Sequence, residues 1–356
     1  MCKKSINQKL NGKNNQQTVN YYNGSQYSLE DIEKISRRMA IQVIEEHYAS
    51  ANEKAKNRID KFDNIFIDVA SKEEGWAEMF EDPSFIFDFK SSQIQSAQTD
   101  DILSYKMLSN LLLHRSKNSM NKTKITSIKG AIKIVNQIDE SSLAALTIAT
   151  CVLIGVHPCT NILEEGLKVL NDLYGKILIC DLPEGYKWLD QLDILNAIRI
   201  NTYGKVKKFY EIMQNVFEGY IQLGIKKDSD NYFKYQKELA DLGLNMFIEN
   251  PFCADYVLLP FISYEQIDEI SDEKMVNFSE KQKELLKSIY KSYEKNSSKI
   301  SEIKTKFNLL LDSFENIKNI NNWWNNIPNS FTITSIGRTL GHVNAINVYP
   351  DFPSLD

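Results

Sequence analysis

The sequence predicts a mainly α-helical fold: a multi-helix bundle or array, with one long heptad-patterned helix at about 279–319 and a small β–α–β element at the C-terminus. Three observations lead there. Apolar residues recur at spacings of three and four along most of the chain. Helix-start signals, a Ser, Asp or Asn with an acid or amide three residues on, stand ahead of those runs. The alternating segments that suit strands are few and short.

At 356 residues, with 42% hydrophobic and 25% charged residues, the chain can bury a sizeable core. Three regions are expected: a polar segment 1–27, a helical domain 28–175, and a second helical domain 176–356 that holds the long helix. The first contains "NGKNNQQTVNYYNG", almost all amide, glycine and tyrosine. Lys3, Lys4, Lys9 and Lys13, with no acid, give residues 1–27 a formal charge of +4. Two readings stand. Such a segment is a disordered leader, since it buries little apolar area. Alternatively it is a short oligomerisation strand made by Thr18, Val19, Asn20, Tyr21 and Tyr22, with Val19 and Tyr21 on one face. Asn, Gln and Tyr ladders form when identical strands stack. That reading requires several copies, so it implies a homo-oligomer.

Helical spacing begins at Leu29 and continues through Ile32, Ile35, Met39 and Val43, then Ile59, Phe62, Phe66 and Val69. Residues 28–70 form one long helix or two with a bend. "SKEE" at 71–74 reads as a capping box for a short helix with Trp76, and Asp82 with Pro83 marks the next start. Helices follow at about 84–97, 100–117, 123–137, 140–156, 161–173, 187–200, 205–223 and 230–248, and 249–261 is irregular or a short extended segment. "LAALTIATCVLIGV" (143–156) is the longest apolar run. It is shorter than the roughly 20 residues that span a bilayer, so it reads as a buried helix and no membrane span is expected.

Ser279 and Gln282 form a capping box. Beyond it one seam carries Leu286, Tyr293, Ile300, Phe307 and Phe314, and a second carries Ile289, Asn296, Ile303, Leu310 and Ile317. The spacing predicts a coiled-coil-like helix, packed within the chain or against another subunit. "NNWWNN" (321–326) ends it. Neighbouring positions point about 100° apart, so one Trp is expected inside and the other exposed or at an interface. Trp323, Trp324, Ile303 and Leu310 are the candidate partner-contact residues. In the tail, Phe331 to Thr334 alternate as a strand, Ser335 caps a helix to about Asn344, and "INVY" is a second short strand.

Candidate chemistry is sparse. Cys2, Cys151, Cys159, Cys180 and Cys253 are scattered and odd in number, which fits a reducing cytoplasm. His47, His114, His157 and His342 are the histidines. His157 with Cys159 is a lone pair where a zinc site needs three or four ligands. Asp100 and Asp101 are explained by helix capping. Neither GxxxxGK[ST] nor GxSxG occurs. No catalytic, metal or cofactor residues are therefore assigned. "FTITSIGRTLG" resembles the closing segment of winged-helix domains, which makes Arg338 a nucleic-acid contact candidate. The net charge of −5 does not favour that partner.

"NEKAKNRIDKFDNIF", "FEDPSFIFDFKSSQIQSAQTDDILSYKMLSNLLLHRSKN", "KGAIKIVNQIDESSLAALTIATCVL", "GYKWLDQLDILNAIRI" and "FTITSIGRTLGHVNA" occur in that order. In this order the chain resembles an uncharacterised family of bacterial, mostly helical cytosolic proteins that begin with an Asn/Gln/Gly-rich stretch. The resemblance implies the kind of protein found in antiviral defence or among effectors and supplies no catalytic residues; a protein partner encoded nearby is a further expectation. The expected function is a non-enzymatic interaction, sensor or scaffold subunit that works through homo-oligomerisation and partner contact. An enzyme with an unrecognised site, or a nucleic-acid-binding regulator, is the alternative.

Overall fold

The structure, a computed structural model, describes residues 29–154, 162–178, 180–269, 278–350 and 352. Two units result, Met1–Lys54 and Ala55–Asp356. The residues of the expected N-terminal strand (18–22), and His157 with Cys159, lie outside the described residues. The helical reading holds: among the described residues the elements are helices joined by small sheets of two and three strands.

Helix α1 (Leu29–Ala70) is one continuous helix. In the first unit its polar positions form i,i+4 pairs: Lys34 with Glu30 at 3.1 Å and Arg37 with Glu33 at 3.0 Å. Exposed pairs of this kind contribute only a few tenths of a kcal/mol.

In the second unit the last turns of α1 carry Phe62 and Phe66, both buried. Phe66 meets Phe89 edge-on at 5.1 Å, and Phe80 meets Phe85 at 5.3 Å. The other helices are α2 (Pro83–Gln98), α3 (Ile102–Lys117), α4 (Lys122–Ile134), α5 (Glu140–Ile154), α6 (Leu163–Ile177), α7 (Lys187–Ile194) and α8 (Phe209–Val216). They continue with α9 (Asp230–Asp241), α10 (Gln266–Glu269), α11 (Glu280–Lys291), α12 (Ser297–Asp312), α13 (Glu315–Asn325) and α14 (Ser335–Val348). Several starts follow the capping chemistry. Asp82 accepts from the Ser84 amide at 2.8 Å with Pro83 in the first turn. Asp101 accepts from Leu103 and Ser104. Ser279 and Gln282 complete a capping box.

Strand β1 (Ile198–Asn201) pairs antiparallel with β5 (Ser330–Ile333), Ile198 opposite Ile333. A three-stranded antiparallel sheet places β4 (Tyr256–Leu258) between β2 (Ile225–Lys226) and β3 (Ile248–Glu249). The main core draws on residues from Phe62 to Phe352, and a smaller cluster on residues between Ile225 and Tyr293. The expected division at 175–176 falls within α6.

Helix α14 packs against α3, α4, α5 and α6, and Leu340, Gly341, Val343 and Ala345 are buried on it. This accounts for the glycines of "SIGRTLG". A Cβ on Gly337 would collide with the carbonyl oxygen of Ala197, and one on Gly341 with the Thr150 hydroxyl. That Ala197 carbonyl already accepts from the Thr334 amide at 3.0 Å and the Thr334 hydroxyl at 2.9 Å, so it is not free to move aside. Gly337→Ala is therefore expected to cost about 1–3 kcal/mol in denaturant unfolding. Arg338→Ala, at the exposed neighbouring position, should cost less than about 0.5 kcal/mol. Equal midpoints for the two variants would show that close packing is not what the glycine provides.

Several elements differ from the sequence reading. The expected long helix at 279–319 is three helices, α11, α12 and α13. The first break comes after Lys291, where Ser292 ends α11, and Asn296, extended, then caps α12 by accepting from the Lys299 amide at 3.1 Å. A second break follows at Phe314, which precedes α13. The break has a packing reason: Leu286 and Ile289 of α11 belong to the smaller cluster, whereas Ile303 and Phe307 of α12 belong to the main core. One straight rod cannot serve both. The expected helix at 187–200 ends at Ile194, and its last residues become β1, whose partner lies over 130 positions away. "INVY" is not a second strand, because α14 runs through Val348, and Thr334 rather than Ser335 is its N-cap. No side-chain cap opens the short 3-10 helix at Trp76–Glu81.

Candidate interaction surfaces

Two surfaces stand out, one in each unit. The first lies on α1. Ile35, Met39, Ile41, Val43, Ile44 and Tyr48 are 45–68% exposed. These six large apolar side chains fall within 14 positions of one helix, where an unpartnered surface helix carries mostly polar residues. Ile41, Ile44 and Tyr48 repeat at steps of three and four, and continuing those steps through Ala51, Ala55 and Arg58 reaches Phe62. The sequence reading singled out Ile35, Met39 and Val43 but not this second row. The adjacent polar residues mix signs, with Glu30, Glu33, Glu45 and Glu46 against Lys34, Arg37 and Arg38.

The second surface is a cleft of about 850 Å³ between α13, the start of α7, Leu178 and residues 180–185. Its construction follows from helical spacing. Asn319, Asn322, Trp323 and Asn326 stand at i, i+3, i+4 and i+7, so α13 and its C-cap Asn326 present three carboxamides and one indole on the same side. Trp188 of α7 lies beneath, buried, with its ring 5.7 Å from that of Trp323 and 6.0 Å edge-on from Phe331. Trp323 is half-buried, and its Nε1–H donates to the Pro183 carbonyl at 2.9 Å, which ties the loop to the helix. Across the opening stand the exposed carboxylates of Asp181 and Glu184. Among the described residues, no Lys, Arg or His lines the cleft. Cys180 also lines it, and burial first, then the carboxylates of Glu140, Asp181 and Asp139, push its thiol above the ordinary value. That direction favours the protonated thiol over the thiolate.

The sequence candidates are distributed as follows. Trp324 and Ile303 are buried within the chain itself, and Trp324 donates to the Lys207 carbonyl at 2.9 Å. Leu310 and Trp323 are half-buried, and of these four only Trp323 lines the cleft. Arg338 is exposed on α14. Trp188, 135 positions from Trp323, was not legible as part of any site. Its one signal was the aromatic within "GYKWLDQLDIL".

Other chemistry-bearing groups have structural surroundings. Cys151 is buried and its thiol is pushed up to about 12 by burial. His114 and His342 lie 6.1 Å apart, and burial, then His342, hold His114 down at about 4, so it is neutral at pH 7. Among the described residues no group of three or more His, Cys, Asp or Glu is placed to hold a metal ion, and no helix is long and apolar enough to cross a membrane.

No curated protein and no solved structure matches the chain. A protein-family model of an uncharacterised family matches residues 27–355. The match takes in the second unit almost completely and residues 27–54 of the first, and the chain belongs to that uncharacterised family.

Proposed function

We propose that the protein is a non-enzymatic interaction subunit that works by self-association, with α1 as the element that pairs with other copies of the same chain. The observation that carries this reading is the exposed apolar run from Ile35 to Tyr48. Each of its isoleucines would gain about 1.5–3 kcal/mol on full burial. The partner is a second copy, because mixed charges alongside the apolar rows do not set identical helices against one another. The heptad-type steps of Ile41, Ile44 and Tyr48 suit helix-on-helix packing. Residues 1–27 would add to this assembly, and bacterial antiviral defence is the setting that the resemblance implies.

The test is light scattering of the full chain and of Ile41→Glu/Ile44→Glu. The wild type is expected at a multiple of 41.1 kDa and the variant at the mass of one chain. Far-UV helicity of the variant should stay within a few per cent of wild type. A wild-type protein that runs at 41.1 kDa across the micromolar range would overturn the reading.

A further inference from the structure

We propose that the cleft over Trp188 and Trp323 is a binding site for an extended, lysine- or arginine-bearing segment of a partner protein. This goes beyond self-association and uses a different surface.

Charge selects the ligand. Asp181 and Glu184 face the opening and no cationic side chain among the described residues lines it. Glu140 and Asp139 add to the same negative field at Cys180. A phosphate or carboxylate ligand would enter this field with nothing to neutralise it, whereas an ammonium or guanidinium gains from it. The half-exposed indole of Trp323 adds a second attraction, since the ring face favours a cation. Trp188, stacked beneath and held by Phe331, keeps that indole in place.

The carboxamides select an extended backbone. A primary amide donates and accepts at once, as a peptide unit does, so the two pair side by side. From Asn319 to Asn326 the helix rises about 10 Å at 1.5 Å per residue. Three residues of extended chain span about the same distance at 3.3 Å each. Asn326 Nδ2 donates to the Asn322 carbonyl at 2.9 Å, which leaves its Oδ1 to accept. Asn319 and Asn322 are exposed. The volume of about 850 Å³ suits a few residues rather than a folded domain.

The experiment uses the full chain and a capped octapeptide that alternates glycine and lysine, with a glycine–glutamate octapeptide as control. Binding is read by calorimetry and by tryptophan fluorescence. The lysine peptide should bind saturably and the glutamate peptide at least about tenfold more weakly. Asp181→Asn/Glu184→Gln, at two exposed positions, should weaken the lysine peptide about tenfold with the melting temperature unchanged. Asn319→Ala/Asn322→Ala should weaken the peptide but not free lysine amide, which lacks an extended backbone. Equal binding of both octapeptides, or an unchanged affinity in the charge-neutralised variant, would overturn the proposal. So would preferential binding of a single-stranded oligonucleotide that competes with the peptide. Because all these residues lie in the second unit, the result does not depend on whether α1 pairs the chains.

Discussion

Arg115→Met is expected to cost about 3–5 kcal/mol of stability, measured as a shift in the denaturant midpoint at pH 7. Arg115 on α3 is 2% exposed, and its guanidinium is spent on partners from α2 and its cap. Nε donates to Asp88 at 3.0 Å, and one terminal nitrogen donates to Asp82 at 2.9 Å and to the Ser84 hydroxyl at 3.2 Å. Asp88 is itself 5% exposed. Its other oxygen has Lys129 at 3.3 Å, a partly exposed cation on α4. Methionine fills much of the space but leaves the buried Asp88 carboxylate with the partly exposed Lys129 as its one remaining cation. The loss is mainly the cost of that orphaned charge, not the worth of the ion pair. Hence the second half of the prediction: Arg115→Met combined with Asp88→Leu should recover more than half of the loss, since an apolar replacement of both partners carries no uncompensated charge. A single variant within 1 kcal/mol of wild type would show that Lys129 alone can hold Asp88. An unimproved double variant would show that the network also fixes the geometry of α2 against α3.

Arg115 illustrates what could be read beforehand. "LLLHRSKN" gives no sign that its arginine is an interior residue, because the partners that justify its burial stand 27 and 33 positions earlier. Local chemistry was legible. Asp82 before Pro83, Asp101 and the Ser279–Gln282 box each satisfy amide groups within three residues, so spacing alone locates them. Burial of α5 was legible from its unbroken apolar run. Pairings across the chain were not. β1 exists because β5 offers it an antiparallel edge, and "AIRIN" taken alone continues a helical pattern. The cleft needs Trp188 beside Trp323 and a loop carbonyl at Pro183 to hold the indole, three contributions from two distant segments. The exposed row on α1 was present as Ile41, Ile44 and Tyr48, but a buried row and an exposed row have the same spacing.

That last point bears on the heptad region, where Ile303→Asp is expected to remove at least about 4 kcal/mol or prevent folding. Spacing identified the inward residues there: Leu286, Ile289, Ile303, Phe307 and Ile317 are all buried. It did not show whether they face the same chain or another one. Ile303 is 2% exposed within the chain's own main core, on α12 with Phe307 one turn on. Its replacement loses about 1.5–3 kcal/mol of apolar burial and adds a carboxylate without a partner, which costs several kcal/mol more. Leu309→Asp on the same helix, where the leucine is 66% exposed, should stay within about 0.5 kcal/mol. The two locations of Ile303 are separable by the kind of damage. A core position lowers stability at every protein concentration. A position between subunits leaves each chain folded and lowers the mass instead. The pH dependence gives a third reading. Burial raises the folded-state pKa of the introduced carboxyl above its unfolded value of about 3.9. The folded state therefore binds the proton first, and the deficit relative to wild type should shrink as pH falls through that raised value towards 4. A deficit that stays constant from pH 7 to 4 would mean the carboxylate reaches water, and that α12 moves outward to let it.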